Sequence, residues 1–354
     1  MNITDVYTAQ AVALAHKEVA SNRIPYLGGV LFPRTKKMGL DIKQIKTSSG
    51  LPVSLMPSAF DTVSTIRSRE KIDVEKTQMA FFKESMIVKE EDEQELMRIQ
   101  ESSDPYLDDV LATLYNDAET LVAGANVVPE RMIMSLLASD GGHPSISISG
   151  DGATYEYNYD PNGTYATNNY KALTGTSAWT DTANSDPIQD VSDAQDAIED
   201  LTGSKPSRMI VSKKTMGLLR KNAKIRQYVL AQNTTANIVV TDDVVKSIFS
   251  DVLGVTILVY SKKYKNENKV ATQFYPDKFA TLIPDGTLGK TWFGTTPDER
   301  VKDKEGVDVA IVDTGIAVRV TLTSDPDHTK TTVSEICLPS FERMDETFTL
   351  KVEE

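Results

Sequence analysis

An apolar stripe that follows Asp104 constrains the fold of this chain more than any other feature of its sequence. Asp104 suits the N-cap of a helix and Pro105 suits its first turn. Apolar residues then recur at the three- and four-residue spacing of one helical face: Leu107, Val110, Leu111, Leu114, Ala118, Leu121, Val122 and Ala125. The pattern predicts a helix of about five or six turns. Gly124 and Pro129 predict a break or a kink before a second helical piece over residues 130–137.

Residues 50–90 have the pattern of a long β-hairpin. Two β-prone runs flank a charged tip that is too polar to bury, made of Arg67, Ser68, Arg69, Glu70 and Lys71. A two-stranded hairpin alone is marginally stable in water. We therefore predict that this protrusion packs against a neighbouring chain. The alternative, an ordinary hairpin folded back onto its own domain, stays open at this point.

The residues before this hairpin have the character of an arm. A loose apolar spacing predicts a short, weakly amphipathic helix within residues 5–20. After the turn-prone Gly28 and Gly29, residues 30–45 alternate in places and predict extended structure. We expect an arm here more than a core element.

Helical and strand patterns alternate cleanly in the second half of the chain. Helices are predicted over residues 188–201, 212–230 and 242–249, and buried strands over 208–211 and 255–260. Further strands are predicted over residues 279–283, 310–312, 317–323, 333–338 and 347–352. The patterns therefore indicate an α+β protein, in which a small α/β subdomain is followed by returning C-terminal strands.

Residues 140–187 are rich in Gly, Ser, Thr, Asn and Tyr. Strict alternation over residues 145–149 and 155–159 predicts short strands. The tyrosines of the second run favour ordinary stacking on a strand over a platform for a sugar or a base. The segment gives no strong sign of a binding site.

Composition excludes several classes of protein. Lys and Arg number 38 against 51 Asp and Glu, and the net charge of −13 opposes binding to phosphate backbones. Cys337 is the single cysteine, which excludes an intrachain disulfide framework. With His16, His143 and His328 it supplies too few ligands for a typical zinc site. No run of about 18 apolar residues occurs, so we expect no helical membrane span.

The motifs that would indicate catalysis are incomplete. Residues 286–291 resemble a phosphate-binding loop, but two residues separate the glycines where the motif requires four. None of the three histidines lies in a nucleophile-elbow setting. The N-terminus lacks the pattern of a signal peptide, so we expect residence in a cytoplasm. The sequence thus predicts no enzyme, no catalytic residues, no cofactor and no metal.

The order of parts resembles the major capsid proteins of tailed bacteriophages, which have the Hong Kong 97-type fold. Within them the chain is similar to the lambda-type major capsid protein E family. The residues that carry the resemblance follow one another in a common order: Tyr7-Thr8-Ala9-Gln10, Ile66-Arg67-Ser68-Arg69, Asp104-Pro105, Ala178-Trp179, Asp186-Pro187, Phe274, Pro276-Asp277, Asp325-Pro326 and Pro339.

The resemblance implies a domain organisation. Residues 1–40 would be an N-terminal arm and residues 41–90 an extended hairpin called the E-loop. Residues 91–187 would form the P-domain with its long spine helix, and residues 305–354 would return to it as strands. Residues 188–304 would form the A-domain.

The resemblance also implies a function. Copies of the chain would assemble into the hexamers and pentamers of an icosahedral head that encloses double-stranded phage DNA without binding it specifically. At the E-loop tip, Arg67, Arg69, Glu70 and Lys71 would contact the adjacent subunit. A scaffolding protein, a portal and a decoration protein are implied partners, with no membrane. Assembly would occur in the host bacterial cytoplasm, and the product would be the virion shell.

Two other functions stay open at this point. An encapsulin-like compartment shell shares the implied fold and would enclose a cargo enzyme. An exported surface-binding or glycan-binding module is suggested only by the Tyr-rich residues 153–175.

Overall fold

The computed structural model describes residues 8–13, 26–45, 74–88, 107–150, 153–232, 239–302, 308–324 and 327–353. They belong to two compact units. Unit 1 takes its described residues from Met1–Lys43, Lys76–Met132 and Lys290–Ser340. Unit 2 takes them from Gln44–Glu75, Ile133–Gly289 and Phe341–Glu354. Each unit therefore combines segments that are far apart in the sequence.

Helices and strands alternate along the chain. The helices are α1 Leu27–Leu31, α2 Leu107–Leu137, α3 Thr164–Asn168, α4 Pro187–Thr202, α5 Lys213–Lys221, α6 Ala223–Gln232 and α7 Asp242–Leu253. Residues 9–13 are also helical. Short 3-10 turns lie at Asp140–Gly142, Gly175–Ser177, Glu299–Val301 and Met344–Glu346.

Within the ranges that the structure describes, the strands form two larger sheets and three two-stranded ones. They are β1 Arg34–Lys36, β2 Asp41–Ile45, β3 Val74–Gln78, β4 Ala80–Val88, β5 Ser145–Gly150, β6 Ala153–Asn158, β7 Tyr170–Ala172, β8 Arg208–Val211, β9 Thr256–Val259, β10 Lys263–Lys265, β11 Ala271–Gln273, β12 Phe279–Ile283, β13 Lys290–Phe293, β14 Asp308–Val312, β15 Ile316–Ser324, β16 Asp327–Ser340 and β17 Phe348–Lys351. The small sheets pair β2 with β3, β5 with β6, and β10 with β11.

The long helix α2 confirms the main prediction from the sequence. Of the predicted break or kink, the break is wrong, because Pro129 lies inside one continuous helix of 31 residues. Proline removes one backbone donor from a helix. The residues that follow, Met132, Ile133 and Leu136, are almost completely buried. Their packing holds the helix together beyond the proline.

The sheet of unit 1 is built around the long strand β16. Its order is β1-β13-β16-β15-β14, and β4 also pairs with β16. All pairs are antiparallel except β1 with β13. One face packs against the buried side of α2 in an apolar core that includes Ala118, Leu121, Val122, Val318, Val320 and Val333.

The sheet of unit 2 has the order β7-β17-β12-β8-β9. Helices α4 to α7 pack with it in a second core, which includes Val191, Ile198, Met216, Ile225, Phe249, Met209, Leu282 and Leu350. Helix α4 begins one residue before the predicted start at residue 188, because the Asp186 side chain accepts a hydrogen bond from the Gln189 amide and Pro187 occupies the first turn. The predicted strands over residues 208–211 and 279–283 are confirmed.

Two local predictions need correction. Residues 27–31 form helix α1 where the sequence predicts the start of extended structure, because the Glu130 carboxylate accepts a hydrogen bond from the Gly28 amide at 2.9 Å. The predicted helix over residues 212–230 is two helices. Asn222 separates them, since its side-chain oxygen accepts hydrogen bonds from the amides of Lys224 and Ile225 and caps the second helix.

The tyrosine-rich hairpin confirms the predicted stacking. Strands β5 and β6 pair in register, with Ile148 opposite Tyr155 and Ile146 opposite Tyr157. The two tyrosine rings are nearly parallel, with centroids 6.4 Å apart. These side chains share one face of the hairpin with apolar residues, as the strand interpretation requires.

Candidate functional site

The predicted hairpin is anchored at its base within unit 1. Strand β4 pairs with β16 along its whole length, from Ala80 opposite Cys337 to Val88 opposite Thr329. The Met79 amide also donates a hydrogen bond of 2.9 Å to the carbonyl of Leu40. Residues 80–88 are thus folded back onto their own domain, which is the alternative left open above, because β4 pairs with a strand of the same chain.

The described part of the N-terminal arm also packs on unit 1. Ala9 and Val12 are almost completely buried in the same core as Val312 and Ile316. The Asp308 carboxylate accepts a hydrogen bond of 2.7 Å from the Ala9 amide. A carboxylate at that position satisfies an amide in the first turn of a helix. Residues 9 and 12 therefore lie in the core of unit 1, whereas the sequence predicts an arm more than a core element.

A buried carboxylate, Asp298, joins several elements near the base of the hairpin. Asp298 is 2% exposed. It accepts a hydrogen bond of 2.7 Å from the Ser334 hydroxyl of β16. Its oxygens lie 3.2 Å from the Lys83 ammonium of β4 and 3.3 Å from the Arg319 guanidinium of β15. Three strands are therefore tied to the loop that carries Asp298.

These contacts set the protonation of Asp298. Burial raises its pKa, but the Ser334 hydroxyl, the Lys83 ammonium and the Arg319 guanidinium outweigh burial and hold the pKa below its ordinary value. The carboxylate is therefore charged at neutral pH. It compensates two positive charges, one of which lies on the returning strand of the hairpin.

A second buried carboxylate, Glu335, lies on the face of β16 opposite to that of Ser334. Glu335 is 1% exposed, and neither of its oxygens has a hydrogen-bond partner among the described residues. Burial raises its pKa to about 8, although the positive charge of Arg34 acts in the opposite direction. Arg34 is engaged elsewhere, since its guanidinium donates to Asn126 at 2.6 Å and lies 3.6 Å from Asp313. Glu335 is thus held neutral at neutral pH.

Cys337 lies two residues along the same strand. It is fully buried, as free cysteines commonly are. Burial raises the pKa of its thiol, and the nearby Glu335 raises it further. The thiol therefore stays protonated and is a poor nucleophile.

In unit 2, threonine hydroxyls cap the end of the long helix. The carbonyl oxygen of Leu137 accepts hydrogen bonds from Thr281 at 2.6 Å and from Thr349 at 3.2 Å. These two threonines lie opposite each other on β12 and β17. The last carbonyls of a helix have no partner within the helix. The sheet of unit 2 therefore supplies a partner to the end of α2.

Two buried tyrosines complete this network. The Tyr275 hydroxyl lies 2.8 Å from that of Thr281, and the Tyr165 hydroxyl lies 3.0 Å from that of Thr349. Burial raises the pKa of Tyr165 to about 12, and it also raises the pKa of Tyr275. Both phenols keep their protons and can donate to the threonines, which in turn donate to Leu137.

We predict unequal costs for removing the two threonine hydroxyls. Thr281→Val removes the shorter bond to Leu137 and the acceptor of the buried Tyr275, so it should destabilise the protein by about 2 kcal/mol. Thr349→Val should cost about 1 kcal/mol, since Tyr165 keeps Thr347 at 3.2 Å. Denaturant unfolding of the two variants measures the difference. Equal losses in the free energy of unfolding would contradict the larger contribution assigned to the Thr281 hydroxyl.

The residues that the sequence predicts as intersubunit contacts, Arg67, Arg69, Glu70 and Lys71, lie outside the described residues. Within the described ranges no cluster of three or more His, Cys, Asp or Glu side chains could hold a metal ion. None of the described helices is long and apolar enough to cross a membrane. The predictions from the sequence do not include Asp298, Glu335 or the Leu137 network.

Comparison with known proteins identifies the family. The family of phage major capsid protein E matches residues 9–352. No curated protein sequence matches the chain significantly. The family match favours the phage shell over the two alternatives considered above, a cargo compartment and an exported binding module.

Two crystal structures have a similar fold. A phage-related protein from Bordetella bronchiseptica RB50 is 15% identical, with a TM-score of 0.57 and coverage of 98% of this chain and 97% of that one. A protein described as the capsid protein of a prophage of E. coli CFT073 is 14% identical, with a TM-score of 0.58 and coverage of 98% and 99%. These likenesses confirm the predicted α+β fold of phage capsid proteins. The chain belongs to the phage major capsid protein E family, and its role is to form the capsid shell.

Proposed function

We propose that copies of this chain assemble into the hexamers and pentamers of an icosahedral head with Hong Kong 97-type architecture. One observation carries this proposal: the Met79 amide donates to the Leu40 carbonyl at 2.9 Å and strand β2 pairs with β3, so the two ends of the predicted E-loop lie side by side. A segment closed in this way is what an E-loop requires. Strand β4 and the contact of Lys83 with Asp298 fix its base.

The domain boundaries of this proposal follow from the family resemblance. Residues 1–40 act as the arm and 41–90 as the E-loop. Residues 91–187 and 305–354 form the P-domain, with α2 as its spine. Residues 188–304 form the A-domain, and A-domains of neighbouring copies converge around the hexamer and pentamer axes.

At the E-loop tip, Arg67, Arg69, Glu70 and Lys71 contact the adjacent subunit. Opposite charges placed across an interface fix the register of the two partners and disfavour wrong pairings. The two arginines meet acidic groups, which are abundant in a chain of net charge −13. The action of the protein is assembly, with no chemical turnover.

The same excess of acidic residues accounts for the relation of the shell to its contents. A negatively charged surface repels the phosphates of double-stranded DNA. The genome is therefore enclosed without specific binding. Assembly takes place in the host bacterial cytoplasm with a scaffolding protein and a portal, and a decoration protein can cover the finished shell.

Charge reversal at the E-loop tip tests this proposal. The double variant Arg67→Glu, Arg69→Glu should give no shells, because like charges would face each other across every subunit contact. Its circular dichroism should match that of the wild-type chain. Electron microscopy and size exclusion after expression measure the effect.

A matched control exists in unit 2. Lys263→Glu, Lys265→Glu changes the charge by the same amount at the same spacing, on two exposed side chains of β10. Shells are expected from this control. Normal shells from the Arg67, Arg69 variant would refute the role of the tip.

A further inference from the structure

Two lysines of unit 1 converge on a tryptophan. The ammonium of Lys37 lies 5.4 Å from the centre of the Trp292 ring, and that of Lys290 lies 5.8 Å from it. Each contact is a cation–π interaction. The indole is fixed, since its Nε1 donates to the Ser340 hydroxyl at 3.2 Å. The ring and the two charges therefore form one ordered surface.

This surface continues into a turn that exposes apolar side chains. Met38 is 91% exposed and Leu40 is 41% exposed. The turn is held at both ends, because the Lys37 amide donates to the carbonyl of Phe293 at 2.8 Å and the Leu40 carbonyl accepts from the Met79 amide. Gly39 has a φ of 94°, which is a conformation that favours glycine. Met38 is thus presented to solvent on a fixed backbone.

The charges of this surface are not compensated within the described part of the chain. Neither Lys37 nor Lys290 forms an ion pair with a described residue, whereas the neighbouring Lys36 pairs with Glu299 at 2.5 Å. Each ammonium carries a full positive charge held near the ring, and a carboxylate beside either of them would neutralise that charge. Tryptophan is enriched in interface hot spots and methionine is enriched at interfaces in general, and this surface offers both.

We propose that the surface formed by Lys37, Met38, Lys290 and Trp292 is a contact between subunits that receives carboxylate side chains of a second copy of this chain. Charge complementarity selects this occupant. The chain has 13 more acidic than basic side chains, so any second copy offers carboxylates in excess. The inference rests on the proposed self-assembly and adds a contact distinct from the E-loop tip.

Zero-length cross-linking of assembled shells tests the proposal. A carbodiimide joins an amine to a carboxylate only when the two are in contact. Shells are assembled from an equal mixture of ¹⁴N-labelled and ¹⁵N-labelled chains, and cross-linked peptides are identified by mass spectrometry. We expect peptides with Lys37 or Lys290 to be joined to acidic peptides of both labels. Lys214, which pairs with Glu353 of the same chain at 2.6 Å, should give only same-label products.

A charge-reversal pair gives the second readout. Lys37→Glu, Lys290→Glu should abolish those mixed-label products and weaken subunit association about tenfold or more, the equivalent of about 1.4 kcal/mol. The control Lys221→Glu, Lys224→Glu makes the same change on exposed residues of unit 2 and should leave association within about twofold of wild type.

The outcomes separate this inference from the proposed function. If wild-type shells form but cross-links at Lys37 and Lys290 are absent or join only same-label peptides, the inference is overturned and the shell function stands. Unchanged association in the Lys37, Lys290 variant would also overturn it. If the wild-type chain forms no shells, the proposed function fails and the inference falls with it.

Discussion

Replacing Glu335 with Gln should remove most of the loss of stability that the wild-type protein suffers between pH 5 and pH 8. The folded-state pKa of Glu335 is about 8, against an ordinary value of 4.5. Over this range the unfolded chain releases the proton while the folded chain keeps it. Stability falls with rising pH wherever the unfolded state binds fewer protons. The wild-type free energy of unfolding should therefore drop as pH rises.

The size of the effect follows from the difference between the pKa of Glu335 in the folded chain and its pKa in the unfolded chain. Each tenfold change in an acid dissociation constant corresponds to about 1.4 kcal/mol, and local relaxation around a buried carboxylate reduces the full value. We expect the gap between Glu335→Gln and wild type to widen by roughly 2–3 kcal/mol from pH 5 to pH 8. Gln carries no charge at either pH, so residue 335 no longer contributes to the change of the free energy of unfolding with pH.

Denaturant unfolding at several pH values measures this gap. Glu84→Gln is the control, since it also removes one carboxylate but at an exposed position on the neighbouring strand β4. That control should track the wild-type curve. Parallel curves for Glu335→Gln and wild type would mean that Glu335 is charged in the folded protein, and they would contradict its burial without a hydrogen-bond partner.

Local structure is predictable from the sequence where the signal is local. The apolar stripe from Leu107 onward and the helical pattern over residues 188–201 define α2 and α4 by spacing that acts within a few turns. The boundaries that the sequence predicts wrongly depend on distant groups. Helix α1 needs the Glu130 carboxylate, which is 102 residues away from Gly28, and no local rule contains that contact.

The buried polar groups are partly visible in the sequence. Glu335 lies between Val333 and Cys337 on one face of a predicted strand, so a carboxylate on an apolar face is a detectable signal. Thr281 and Thr349 cannot be linked in this way, because their common partner Leu137 is more than a hundred residues from each. Such contacts depend on strand order, which periodicity does not determine.

Removal of the Asp298 carboxylate should loosen the base of the proposed E-loop. Asp298→Ala leaves Lys83 and Arg319 without their buried anion and the Ser334 hydroxyl without its acceptor. Because the two cations are partly exposed and can regain water, we expect a loss of about 2–3 kcal/mol. The pKa of Asp298 is lowered, so its contribution is present above the ordinary pKa and is lost as pH falls through the folded-state pKa.

Hydrogen exchange locates the consequence within the sheet. Amides of β4 that bond to β16 should exchange faster in Asp298→Ala, because Lys83 on that strand loses its anchor. Glu299→Ala is the control in the same loop, and it should cost less than about 1 kcal/mol, since Glu299 and Lys36 are partly exposed. Suppose that Asp298→Ala loses the expected free energy of unfolding but its β4 amides exchange as slowly as those of the control. Asp298 would then hold only its own loop. If Asp298 fixes the base of the E-loop, the β4 amides must exchange faster in Asp298→Ala than in the control.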